Sequence, residues 1–186
     1  MEWVILACGP SLRQYQKEIQ EYIQPTMITV GVNNIGGLFV PDYHVFVNRQ
    51  RHKKYGGTVS PKSKLVLGYK FKGPCDYVLQ FENEYPSSNG HMSLDGERIV
   101  CGGATVAYLA AGFAIMMGAK RITFAGLDGA TKGYHYYEGR EATAGKLEML
   151  EAASHGILRD INKLVPVKIL TPTVYEEYYA GFTGSV

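Results

Sequence analysis

Short apolar runs recur along the chain, and each is closed by glycine or a small polar residue. Residues 3–8, Trp-Val-Ile-Leu-Ala-Cys, are apolar throughout, as in a strand buried on both faces. Gly9-Pro10-Ser11 follows at once, and the pattern then predicts a helix over 12–23, with Tyr15, Ile19, Tyr22 and Ile23 on one face and Ser11 as its cap. Further strands are predicted over 27–32, 43–47, 64–67 and 77–81, the first two of these ending at Asn33-Asn34 and Asn48-Arg49. Residues 82–97 show no period, and the Pro-Ser-Ser-Asn-Gly-His run at 86–91 reads as an irregular loop. A second apolar helix is expected over 104–117, opened by Cys101-Gly102-Gly103 and stopped by Gly118. A buried strand over 121–125 ends in Gly126-Leu127-Asp128-Gly129. A polar loop at 130–139, a helix over 141–164 broken near Gly145 or Gly156, and a strand over 167–170 lead to a tail at 171–186.

Strands alternating with helices imply βαβ units and an α/β fold: a mostly parallel sheet with helices on both faces. In such sheets ligands bind beyond the carboxyl ends of the strands. Four predicted strand ends carry Gly, Asn or Asp, so they point to one shared cleft.

Composition adds limits rather than a function. Of 186 residues, 46% are hydrophobic and 19% charged, ordinary for a single globular domain over 1–186. Nineteen basic and seventeen acidic residues leave a net charge of +2, too little for wholesale nucleic-acid or membrane binding. The one basic run is Arg49, Arg51, Lys53 and Lys54, which suits phosphates, a polyanionic acceptor or plain solvent. Nucleic acid is not indicated beyond it. The longest apolar stretch, 104–119, is shorter than the roughly 20 residues of a membrane span. No basic segment precedes the first apolar run, which Gly9-Pro10 cuts short, so a signal peptide is not expected. Three cysteines, widely spaced and without a CxxC pair, argue against a zinc site and a disulfide scaffold; a reducing cytoplasm is the expected compartment.

The chemistry lies in the strand-end residues. Gly9, Pro10 and Ser11 precede a helix whose amide groups and dipole favour a phosphate; structurally the same residues are a tight turn with a serine cap. Gly102, Gly103 and Thr105 repeat the pattern at the second long helix, where the plain reading is close helix–sheet packing. Asn33 and Asn48 offer donors and acceptors to a base edge or sugar hydroxyls, or simply form turns. Asp128, after Gly126, could hold a ribose, a metal or a catalytic histidine, or cap its own loop. His135, beside Tyr134 in a loop, is the preferred acid–base residue, with His91 its rival. His52 could reach the cleft with Arg49 and Arg51. GxGxxG, GxxxxGK[ST] and DxD are all absent from the sequence.

Taken together, Gly-Pro-Ser-Leu after the first strand, the Asn-bearing strand ends, Gly-Gly-Ala-Thr-Val-Ala at 102–107, Gly-Ala-Lys-Arg-Ile at 118–122 and Gly126-Leu127-Asp128 followed by His135 resemble one superfamily. It joins bacterial lipooligosaccharide sialyltransferases, motility-accessory-factor glycosyltransferases and archaeal 6-hydroxymethyl-dihydropterin pyrophosphokinases. The resemblance covers most of residues 3–137. It implies a Rossmann-like fold that binds a nucleotide or nucleotide-sugar. In the sialyltransferase branch the donor is CMP-sialic acid, no metal is needed and a histidine is the general base. Carried over, Gly9 and Ser11 line the nucleotide pocket, Asn33, Asn48, Thr105 and Asp128 match the branch's polar positions, Tyr134 contacts the leaving phosphate and His135 is the base. The chain departs from that branch at Cys8, where those enzymes often have asparagine.

Three readings follow: a metal-independent glycosyltransferase acting on a glycan or other acceptor, an ATP- and Mg²⁺-dependent pterin-type pyrophosphokinase with Asp128 as metal ligand, and a nucleotide-binding protein without catalysis. The tyrosine-rich tail, residues 175–182, could close over the cleft or dock on a neighbouring subunit of an oligomer.

Overall fold

The computed structural model describes residues 1–84, 90–102, 105–132 and 144–182. In chain order the elements are β1 (Glu2–Leu6), α1 (Pro10–Gln14), α2 (Gln16–Tyr22), β2 (Ile28–Val32), β3 (Tyr43–Phe46), α3 (Arg49–Tyr55), β4 (Lys64–Gly68), β5 (Tyr77–Glu84), β6 (Met92–Asp95), β7 (Arg98–Gly102), α4 (Val106–Met116), β8 (Arg121–Ala125), α5 (Ala144–Leu164) and β9 (Val167–Ile169). They form a Rossmann-like α/β fold: a nine-stranded sheet flanked by helices, in the order β6-β7-β5-β4-β3-β2-β1-β8-β9. All pairs are parallel except β6 with β7.

The chain runs outward from β1 to the β6 edge, then returns through α4 to place β8 on the other side of β1. This reversal makes the gap between β1 and β8 the topological switch point, where open parallel sheets leave a crevice at their carboxyl ends. The apolar runs of β1, β2 and β8 are buried from their second residue onward, as strands covered on both faces must be. α4 is apolar around most of its circumference because it lies inside, packed against β1, β2, β3, β7 and α5. Its Phe113 meets the rings of Trp3, Tyr43 and Tyr77, with centroids 6.3, 5.4 and 5.7 Å away. Among the described residues no helix is long and apolar enough to cross a membrane.

Several expectations are corrected. The first helix is two, α1 and α2, broken at Tyr15, whose ring stacks on Phe182 near the end of the described chain. The basic run forms α3, which the pattern had not shown. Cys101 and Gly102 close a strand rather than opening a helix: β7 pairs with β5 through Asn83 and Glu84. Much of the predicted irregular loop is likewise ordered, with β6 and β7 a hairpin turning at Gly96 (φ +59°). Its strands are half exposed, so no continuous apolar run marks them.

α5 is unbroken through both of its glycines. Gly156 serves packing instead, since a Cβ there would strike the carbonyl oxygen of Gly90 in the segment leading to β6. Met92 then donates its backbone N–H to Asp160 on α5 (3.1 Å). At the amino ends of the strands, the Glu2 carboxylate accepts hydrogen bonds from Tyr22 (2.5 Å) and Thr123 (2.6 Å), with Lys168 3.4 Å away. Burial alone would raise its pKa, but these donors and the ammonium hold it below its ordinary value.

Two predictions follow from this packing. Gly156→Ala should destabilise the chain by about 3 kcal/mol through overpacking, whereas Gly145→Ala, with open space around it, should stabilise it by up to about 1 kcal/mol; urea midpoints compare them. Glu2 is more acidic folded than unfolded, so its contribution is present above its ordinary value of 4.5 and is lost as pH falls through the lower folded value. Glu2→Gln should therefore reduce stability at neutral pH and flatten the acid limb of the midpoint–pH curve.

Candidate functional site

A cleft of about 630 Å³ opens over the carboxyl ends of β1, β2, β3 and β8, within the range of small-molecule sites. It brings together six residues expected there: Gly9, Asn33, Asn48, Thr105, Gly126 and Asp128. Pro10 is exposed at the start of α1, and Ser11 is buried behind the wall. Gly102 ends β7 against His91, whose carbonyl accepts its N–H (2.9 Å), and does not line the cleft. Gly103, Tyr134 and His135 lie outside the described residues.

The junction of β1 and β8 explains the first turn. Gly126 has a left-handed backbone (φ +76°), and its carbonyl accepts the Gly9 N–H (2.8 Å). A Cβ on Gly9 would lie 2.7 Å from Asp128 Cγ, so glycine is what lets the two loops meet. Asp128 then accepts hydrogen bonds from the Ser11 backbone N–H (2.8 Å) and from the Ser11 hydroxyl. The amino end of α1 is thus met by the protein's own Asp128 carboxylate, which takes up the Ser11 groups expected to meet a phosphate. Burial raises the pKa of Asp128, and the two Ser11 bonds partly offset the rise.

Thr105 stands at the amino end of α4 and makes no capping bond. Its Oγ1 is buried without a hydrogen-bond partner, as is Oδ1 of Asn33. Asn33 is 6% exposed and has φ +49°, alone among the described non-glycine residues in a positive-φ conformation. Unpaired buried polar atoms of this kind cost about 1–3 kcal/mol each, and two lining one cleft are complementary to a polar ligand.

The third strand end is partly structural. Asn48 caps α3, its Oδ1 accepting the N–H groups of Gln50 (2.9 Å) and Arg51 (3.2 Å). α3 turns Gln50, Arg51 and Lys54 toward the cleft. His52 faces the other way: its ring lies edge-on to Phe46 and Phe71, at 5.1 and 5.5 Å, which corrects the expectation that it reaches the cleft.

Two residues not anticipated, Tyr108 of α4 and Ser154 of α5, complete the walls, together with Tyr175 of the tail, one expected cover of the cleft. The Ser154 hydroxyl donates to the Leu150 carbonyl (2.8 Å). The tail is folded over its described residues, 171–182. The Thr171 hydroxyl accepts the Gly126 N–H (2.9 Å), Thr173 donates to the Leu127 carbonyl (2.7 Å), and the Val174 N–H reaches the Asp128 carbonyl (3.0 Å). His91 sits by the sheet edge, and His155 pairs with Glu177 (3.1 Å), so neither lines the cleft. Among the described residues no three His, Cys, Asp or Glu side chains gather as a metal site.

Asp128→Ala should cost about 1–3 kcal/mol by leaving both Ser11 donors unpaired. Asp128→Asn, which can accept the Ser11 N–H and donate to its hydroxyl, should lose much less. Equal losses in denaturant midpoints would contradict the latch assignment. Compared with known proteins, the chain matches no family model and no curated sequence.

Proposed function

We propose that the cleft binds a nucleotide-activated sugar and that the chain is a metal-independent glycosyltransferase. The observation that carries this reading is the pair of unpartnered buried oxygens, Asn33 Oδ1 and Thr105 Oγ1, on the walls of a cleft at the switch point of a parallel sheet. An amide oxygen suits an N–H or O–H donor of a base or sugar. A hydroxyl at the amino end of an eleven-residue helix suits a phosphate oxygen. Arg51 and Lys54 add positive charge on the facing wall.

In this reading His135 removes the proton from the acceptor hydroxyl, whose oxygen bonds to the anomeric carbon. The bond from that carbon to the donor phosphate breaks, and the phosphate keeps the electron pair. Thr105, Tyr134 and the amide end of α4 stabilise the charge that develops there. A CMP-sugar is the favoured donor, and that preference rests on the resemblance alone. Asp128, through its bonds to Ser11, holds the first loop in place.

A magnesium-dependent pyrophosphokinase fits less well, because both oxygens of Asp128 already accept from Ser11. A nucleotide-binding protein without turnover would use the same cleft walls and is the remaining alternative.

A thermal-shift series with CMP, CMP-sialic acid, UDP, GDP and ATP, with and without Mg²⁺, tests the reading. At about a hundredfold excess over Kd, a bound nucleotide should raise Tm by about 5–10 °C. His135→Ala should keep that shift and abolish sugar transfer. No shift with any of the five compounds would remove the nucleotide reading. A shift that requires Mg²⁺ and ATP would favour the pyrophosphokinase, and binding without transfer by the unmodified chain would favour the non-catalytic protein.

A further inference from the structure

His44 is fully buried in the middle of β3, yet one of its ring nitrogens, Nδ1, has no hydrogen-bond partner. The other, Nε2, lies 2.6 Å from the backbone carbonyl oxygen of Asn33. Because that oxygen can only accept, Nε2 carries the proton and donates it. The ring is held flat against Phe46, with centroids 4.8 Å apart and planes 7° from parallel. Burial lowers the pKa of His44 and so favours the neutral ring, an effect that the bond to the Asn33 carbonyl partly offsets.

The neighbouring strand therefore grips Asn33 at both backbone polar groups. Its N–H donates to the Val45 carbonyl (3.2 Å), and its carbonyl accepts from His44. Asn33 needs that grip, since a left-handed conformation outside glycine persists where its surroundings over-determine it. With the backbone satisfied, the side-chain Oδ1 is the atom of Asn33 left buried and unpaired at the cleft.

We propose that His44 is a positioning residue for ligand binding: through its Nε2–H bond to the Asn33 carbonyl it holds Asn33 in the left-handed conformation that presents Oδ1 to the cleft. This rests on the reading of the cleft as a nucleotide site. His44 does not line the cleft, so it acts through Asn33 alone.

Four variants test it: His44→Leu, His44→Asn, His44→Gln and Asn33→Gly. Leucine has no donor, and the asparagine amide is too short to reach the Asn33 carbonyl. The glutamine amide falls near the place of Nε2 and can restore the bond. Two readouts apply: hydrogen exchange and NMR shifts of the Asn33 backbone and side-chain amides without ligand, and titration with CMP. His44→Leu and His44→Asn should speed Asn33 exchange and weaken CMP binding about tenfold, and His44→Gln should restore both. In the Asn33→Gly background, His44→Leu should cause no further loss of affinity.

The proposal is overturned if His44→Leu and His44→Asn leave the Asn33 amides unchanged, if His44→Gln is as impaired as they are, or if His44→Leu loses equal affinity with and without the Asn33 side chain. Should the unmodified chain bind none of CMP, UDP, GDP and ATP, the functional reading fails, and the exchange data alone decide the role of His44.

Discussion

The buried contact between Asp128 and Ser11 joins the two halves of the chain where the sheet reverses direction. One partner follows β1 and the other follows β8, 117 positions apart in sequence. Around it, Gly9 and Gly126 bring the loops into backbone contact, and the tail ties down the same loop through Thr171, Thr173 and Val174. A carboxylate in such a place is stable only because two donors meet it; without them, burial would drive it to take up a proton. The floor of the cleft therefore depends on this one latch.

The latch also redistributes roles among the polar residues. Helix starts attract anions, and three of them, those of α1, α3 and α4, face this region. The first two are already satisfied from within, by Asp128 and Asn48. The third, at Thr105, keeps an unpaired hydroxyl, and across the cleft β3 holds Asn33 so that its amide oxygen is unpaired as well. Three buried side-chain polar atoms among the described residues lack a partner, and two of them stand at this one opening, where they are complementary to a polar ligand. The cationic side of α3 complements it, held in place by the Phe46, Tyr55 and Leu67 cluster beneath.

Much of the fold was legible in the residues. The runs at β1, β2, β3 and β8 are continuous and apolar because parallel strands are covered on both faces, and their ends are marked by Gly and Asn because the chain turns there. The hairpin of β6 and β7 was hidden. Met92 and Leu94 alternate with polar residues over only four positions at the sheet edge, too short a period to separate from a loop. The Asp95-Gly96 pair was the available turn signal. Gly156 misled in the opposite sense: its missing side chain answers a backbone crossing from residue 90, which no local pattern records.

By itself the sequence determined the class of the sheet, the approximate place of most strands and a shared cleft at the strand ends, which holds Gly9, Asn33, Asn48, Thr105, Gly126 and Asp128 but not Pro10, Ser11 or Gly102. Periodicity and turn chemistry are local, and the carboxyl-end rule converts them into a location. Only the tertiary structure decided what each residue does there. It put Asp128 on Ser11, made Asn48 a cap, turned His52 away, set His44 behind Asn33 and brought Tyr175 into the wall. Those assignments depend on which distant groups meet and which remain unpaired, and hydrogen-bond partnership between remote segments leaves no periodic trace in a chain.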